Sequence, residues 1–98
     1  MAIVSVTRWK VGVDQAMPIA REGAPILKRH GATSVRVGPC HAGPDAGRFY
    51  VATTYPDWAS YGRALQAMAA DPQWQSIFTQ ALKAGEMQDR SIIVAEEL

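Results

Sequence analysis

Phe49-Tyr50-Val51-Ala52-Thr53-Thr54-Tyr55-Pro56-Asp57-Trp58-Ala59-Ser60-Tyr61 is the stretch where the chain changes period. Its first seven residues are aromatic, β-branched or small, which suits a pleated strand. Pro56 has no N–H to give to a ladder, so the strand stops there. Asp57 is a good helix cap, and Tyr61, Leu65 and Met68 then recur at helical spacing, which predicts a helix through Ala70. Upstream, Gly38 to Gly47 holds three glycines and two prolines and reads as a long turn. Thr33 to Val37 is a strand before it. Asp14 to Gly31 is a helix carrying Ala16, Ala20, Gly23 and Leu27 on one side, with Met17-Pro18 as an alternative start, a kink at Pro25 and a left-handed stop at Gly31. Ile3 to Trp9 is the first strand. Downstream, Asp71-Pro72 restarts a helix with Trp74, Ile77, Phe78, Ala81 and Leu82 at helical spacing; Gly85 ends it, and Arg90 to Ala95 is the last strand. The order is strand, helix, strand, strand, helix in two pieces, strand. This is the α+β, ferredoxin-like βαββαβ arrangement: a four-stranded antiparallel sheet with its helices on one face.

The chain has 98 residues, enough for one domain spanning 1-98 that hides about 64% of its open-chain surface. It is 48% hydrophobic and 19% charged, as in an ordinary globular domain. No apolar run approaches the roughly 18 residues of a membrane span, and the start lacks the features of a secretory leader, so a cytoplasmic protein with no membrane partner is expected. One cysteine excludes an internal disulfide framework, and a net charge of +1 without a basic run argues against nucleic acid as a partner.

Helices on one face leave the other face of the sheet bare, and such a face should be polar. Only the second strand obeys, with Val35 and Val37 against Arg36 and Gly38. Elsewhere Ile3 and Trp9 oppose Val4 and Val6, Phe49 and Val51 oppose Tyr50 and Ala52, and Ile92 and Val94 oppose Ile93 and Ala95. Three strands of four want cover on both sides. A second copy on the open face, a homodimer, is the expected solution.

Gly31-Ala32-Thr33-Ser34-Val35-Arg36-Val37, Thr54-Tyr55-Pro56-Asp57-Trp58-Ala59-Ser60-Tyr61-Gly62 and Asp71-Pro72-Gln73-Trp74 together resemble the dimeric α/β-barrel superfamily, which includes antibiotic-biosynthesis monooxygenases, stress-responsive barrel proteins and NIPSNAP-like proteins. The likeness covers essentially the whole chain. It implies two sheets packed face to face as a barrel and, in the enzymes, a pocket beside the sheet for a flat apolar or oxygenated substrate. One branch degrades haem with an asparagine on the first strand and a histidine on the second helix. This chain has no asparagine, and its histidines, His30 and His41, fall elsewhere.

The residues offer no metal-ligand spacing, no phosphate-binding glycine loop and no nucleophile elbow, so neither a metal nor another cofactor is expected. Cys40 and His41 are neighbours whose side chains diverge, and His30 is expected to satisfy helix-end carbonyls. Trp74 and Phe78 are expected in the core. Tyr50, Trp58 and Tyr61 are the candidate walls of a ligand pocket. Arg36, with Arg8, is the candidate clamp for a carboxylate or enolate, and Ser5, Thr7, Thr53 and Thr54 are candidate hydrogen-bonding groups. Arg36 and His41 are the candidate catalytic residues, His41 as a proton shuttle if the long turn folds over the pocket. Two functions follow. One is a homodimeric protein that binds a small apolar or aromatic ligand. The other is a cofactor-free monooxygenase or isomerase in which the substrate anion itself reduces oxygen. A closed apolar cavity with Arg36 or His41 pointing into it favours the enzyme; a cavity packed shut by Trp74, Phe78 and Leu82 favours a binding or structural role.

Overall fold

The computed structural model describes residues 1–98. The chain runs β1 (Ala2–Lys10), α1 (Val13–Arg29), β2 (Ser34–Pro39), β3 (Phe49–Tyr55), α2 (Trp58–Ala69), α3 (Pro72–Ala84) and β4 (Glu86–Ala95). The four strands form one sheet in the order β2-β3-β1-β4, every neighbouring pair antiparallel. This is the ferredoxin-like α+β arrangement expected from the sequence.

Local chemistry sets most boundaries. Asp57 caps α2 by accepting from Ser60 N–H at 2.7 Å. Asp71 caps α3 by accepting from Gln73 N–H at 2.9 Å, with Pro72 at the first helical position. Helix α1 ends in a Schellman motif: Gly31 N–H donates to Lys28 C=O and Ala32 N–H to Leu27 C=O, both at 3.1 Å. That geometry sends Gly31 to φ 108°, a conformation that favours glycine.

Two boundaries differ from the sequence reading. Helix α1 begins at Val13, ahead of Met17-Pro18, and carries Pro18 and Pro25 on its exposed side. Strand β4 begins at Glu86, four residues before Arg90, because its polar first half pairs with β1 as far as Lys10. Between Arg8 and Trp9 the register shifts, so that Arg8 faces Asp89, Trp9 faces Met87, and Gln88 is left over as a bulge. The bulge turns Met87 toward the helices and Asp89 to the opposite side. Without it the two would share a face.

The helices cover one face of the sheet. That face carries Ile3, Ser5, Thr7 and Trp9 from β1, all buried, and their partners Tyr55, Thr53, Val51 and Phe49 from β3. The core divides into two clusters at opposite ends of these strands. Ile3, Tyr55, Leu27, Ala32 and Ala64 form one; Trp9, Phe49 and Ala16 form the other, with Phe78 and Ala81 against them. Trp74 and Phe78 take the places expected of them, stacked at 6.1 Å between helix and sheet. Leu82 does not: it is half exposed on the outer side of α3.

The open face presents Val4, Val6 and Arg8 from β1, Thr54, Ala52 and Tyr50 from β3, Ile93 from β4 and Arg36 from β2. Ile93 is 48% exposed. No helix of the chain packs over these residues; only Asp45, from the turn before β3, reaches Arg8 and Tyr50 at one end.

Candidate functional site

Between the two core clusters lies a cavity of about 120 Å³, roofed by the three helices and floored by the sheet. A cavity of about 150 Å³ holds one benzene ring, so this slightly smaller space takes at most a single ring, and anything longer must reach out through its open side. Its roof is apolar: Ile19, Ala20 and Leu27 from α1, Met68 from α2, and Trp74 and Phe78 from α3 are among its residues.

The floor is different. Ser5, Thr7 and Thr53 are the buried polar residues of the chain, and all three line this cavity. Ser5 and Thr53 are direct cross-strand partners, and Thr7 lies two residues along β1 on the same face. Buried hydroxyls are costly unless partnered. Thr7 Oγ1 accepts from Trp9 Nε1 at 2.8 Å, which also fixes the indole that forms one end wall. Thr7 faces Arg90 across the β1–β4 pair, so the polar track runs from Thr53 through Ser5 and Thr7 to Arg90. Arg90 is the only charged side chain on the wall. Arg90 and Leu65 are the only exposed lining residues, so the mouth lies between α2 and β4.

Tyr55 and Tyr61 close the opposite end, their rings 5.4 Å apart. Burial is the main cause that raises the Tyr55 pKa above the usual phenol value, with Tyr61 adding to it and Arg90 opposing. The phenol therefore stays protonated at neutral pH.

Of the residues expected to wall or clamp a pocket, Tyr61 is on its wall and the others are not; of the expected hydrogen-bonding groups, Ser5, Thr7 and Thr53 line it and Thr54 does not. Tyr50 lies on the opposite side of the sheet, because β3 alternates and Phe49, Val51, Thr53 and Tyr55 take the helix side. There its hydroxyl donates to Asp45 Oδ2 at 2.8 Å. Arg36 is exposed on that same open face, on the edge strand β2. Trp58 is 53% exposed at the start of α2, off the cavity wall, with its ring centre 6.3 Å from that of Tyr61. His41 is exposed in the turn before β3 and does not reach the cavity. Thr54 also faces away, opposite Val4.

Arg8 is committed on the open face, paired with Asp45 at 2.6 Å and with Asp89. The Asp45 hydrogen bond is the main cause that raises the Arg8 pKa, and Arg8 in turn lowers that of Asp45. His30 does not serve helix-end carbonyls with its ring; Nε2 lies 2.7 Å from Asp71 Oδ2, which ties the end of α1 to the start of α3. Cys40 Sγ donates to Ala42 C=O at 3.1 Å within the long turn. No three His, Cys, Asp or Glu side chains gather in a metal-holding group. The sequence reading missed Arg90, whose signal was parity: it alternates with the same face as Ile92 and Val94.

The fold has close structural counterparts. SnoaB, a cofactor-independent oxygenase from Streptomyces nogalater, superposes with a TM-score of 0.77 at 15% identity, covering 99% of this chain and 95% of its own. A NIPSNAP domain protein from Burkholderia xenovorans gives 0.73 at 19% identity, covering 96% and 94%. A NIPSNAP family protein of unknown function from Agrobacterium tumefaciens gives 0.70 at 12% identity, covering 94% and 86%. At these identities the likeness is one of fold. The curated proteins contain no match. The NIPSNAP family model matches residues 12–97, nearly the whole chain, and the chain therefore belongs to the NIPSNAP family.

Proposed function

We propose that this protein binds a small, flat, apolar or aromatic ligand between its helices and its sheet, and that it works as a homodimer joined through the open sheet face. The cavity carries the reading. A core that needed only stability would fill the space between its two clusters, since voids are costly. Instead the space is left open above three buried hydroxyls. Apolar walls with a few convergent polar groups are the usual makeup of a small-molecule site. Support for the pairing comes from Val4, Val6, Ala52 and Ile93, an apolar strip that no helix of the same chain covers.

The lining also bears on the oxygenase alternative. No His, Asp, Glu, Lys or Cys stands on the wall, the buried Tyr55 holds its proton, and an arginine does not give one up. A catalyst here has no side-chain base near neutrality, so it would serve only a substrate that ionises unaided. The binding role needs no such condition and is the better supported.

Cinnamamide, a neutral flat probe, tests the site. On titration, amide NMR shifts of Ser5, Thr7 and Thr53 should move and saturate, and an Ala81→Phe variant that retains the native fold should lose the response. Shifts confined to the open face, or none at all, would contradict the assignment.

A further inference from the structure

We propose that Arg90 is the anion anchor of this cavity and that the ligand is an amphipathic carboxylate, its flat apolar body inside and its charged head at the mouth. The inference rests on the cavity being a ligand site and goes on to name the chemistry of the ligand.

Three observations carry it. First, Arg90 is the only charged group among the lining residues, and the rest of the wall is apolar apart from the floor hydroxyls and the phenols of Tyr55 and Tyr61. A carboxylate buried among the roof residues would meet no cation and would carry a heavy desolvation cost. Only the mouth can accept it. Second, Arg90 is uncommitted. The ion pairs of the chain engage Arg8, Arg29 and His30, and Arg90 has no carboxylate of its own. Its cross-strand neighbour Thr7 already accepts from Trp9. Third, the position is fixed by the strand. The bulge at Gln88 lies outside the segment from Asp89 to Ala95, which pairs regularly with β1 and holds Arg90 on the helix side at the edge of the floor.

The geometry orders the ligand from inside to outside. A ring fits beneath Trp74 and Phe78, and an oxygen along one edge can reach the hydroxyls of Ser5 and Thr53. A head group then extends past Thr7 to the guanidinium. Arginine recognises a carboxylate through two parallel N–H donors, a match that an amide cannot reproduce. Arg90 also sits near enough to Tyr55 to favour its phenolate form electrostatically, so its charge is felt inside the cavity.

Cinnamate and cinnamamide have nearly the same shape and differ in charge, and calorimetric titration of both separates this inference from the one beneath it. The wild-type protein should bind cinnamate at least tenfold more tightly than cinnamamide. Arg90→Gln should bring that ratio close to one, chiefly by weakening cinnamate; Arg90→Lys should restore part of it. Arg90 is exposed, so these variants should keep the wild-type melting behaviour. Equal binding of both probes by the wild type, or an unchanged ratio in Arg90→Gln, would overturn the role of Arg90 and leave the cavity assignment standing. Failure of both probes to bind would overturn both.

Discussion

Asp71 ties the end of α1 to the start of α3 through a single carboxylate. One oxygen accepts from the backbone of Gln73 and Trp74 at 2.9 and 3.4 Å, and the other meets Arg29 at 2.8 Å and His30 at 2.7 Å. Its pKa falls from 3.8 to about 2, with the His30 hydrogen bond as the leading cause. A carboxylate depressed on folding adds stability above its ordinary value, and that stability is lost as pH falls through the folded value. Asp71→Asn should therefore be less stable than wild type in urea at neutral pH, with the gap closing as pH falls from 3.8 toward about 2. A gap that stays constant over that range would mean that the charge does no work there. Gly85 makes a different demand. Its backbone is extended, at φ −162°, so conformation does not require glycine. Space does: an added Cβ would lie 2.6 Å from Lys10 O and 2.5 Å from Val11 Cβ. Gly85→Ala should cost about 1–3 kcal/mol by overpacking, measured by urea unfolding; an unchanged midpoint would show that the β1–α1 junction moves aside freely. Asp57, Asp71 and Gly85 were legible as punctuation because caps and stops act on their immediate neighbours. The ring of His30 was not, because its partner lies 41 positions away in the chain.

The strands teach a different lesson. The interval Phe49–Tyr55 could be read from its residues, since it ends at a proline and a cap. The alternation within it, and within Thr33 to Val37, was also readable, and it already set Tyr50 apart from Phe49 and Val51, and Arg36 apart from Val35 and Val37. The expectation that they wall a pocket followed their chemistry and ignored their parity. Strand β4 was the harder case. Glu86, Gln88 and Asp89 look nothing like a strand, and only pairing with β1 makes them one, with a bulge that reverses the facing of everything before it. The cavity likewise follows from how elements meet. Ser5, Thr7 and Thr53 stand at the middle of the helix-facing surface, and neither core cluster extends across them. Replacing Thr53 by Val keeps the shape of the floor and removes one hydroxyl. That variant should be at least as stable as wild type in urea, since burying a methyl is easier than burying a hydroxyl. It should also weaken binding of a ring-oxygenated probe such as 4-hydroxycinnamamide by severalfold. Marked destabilisation would show that the hydroxyl serves the fold and not a ligand.

As a whole the molecule is a slab, 36 × 32 × 18 Å, with one sheet and one layer of helices. It exposes 6078 Å², against about 5,500 Å² expected for a folded monomer of its mass. Part of the excess is the sheet face where Val4, Val6, Ala52 and Ile93 meet no other element. The sheet thus divides two apolar surfaces, one covered by helices around a cavity except along β4, where Ile92 and Val94 stay exposed, and one left bare; the proposed ligand occupies the first and the proposed second chain the second. Ile93→Glu should keep the fold, because the side chain is already half exposed, but should weaken the pairing. The most direct test is sedimentation equilibrium of the wild-type protein at micromolar concentration. A homodimer gives twice the 10.6 kDa chain mass; a single species at the chain mass would rule the pairing out.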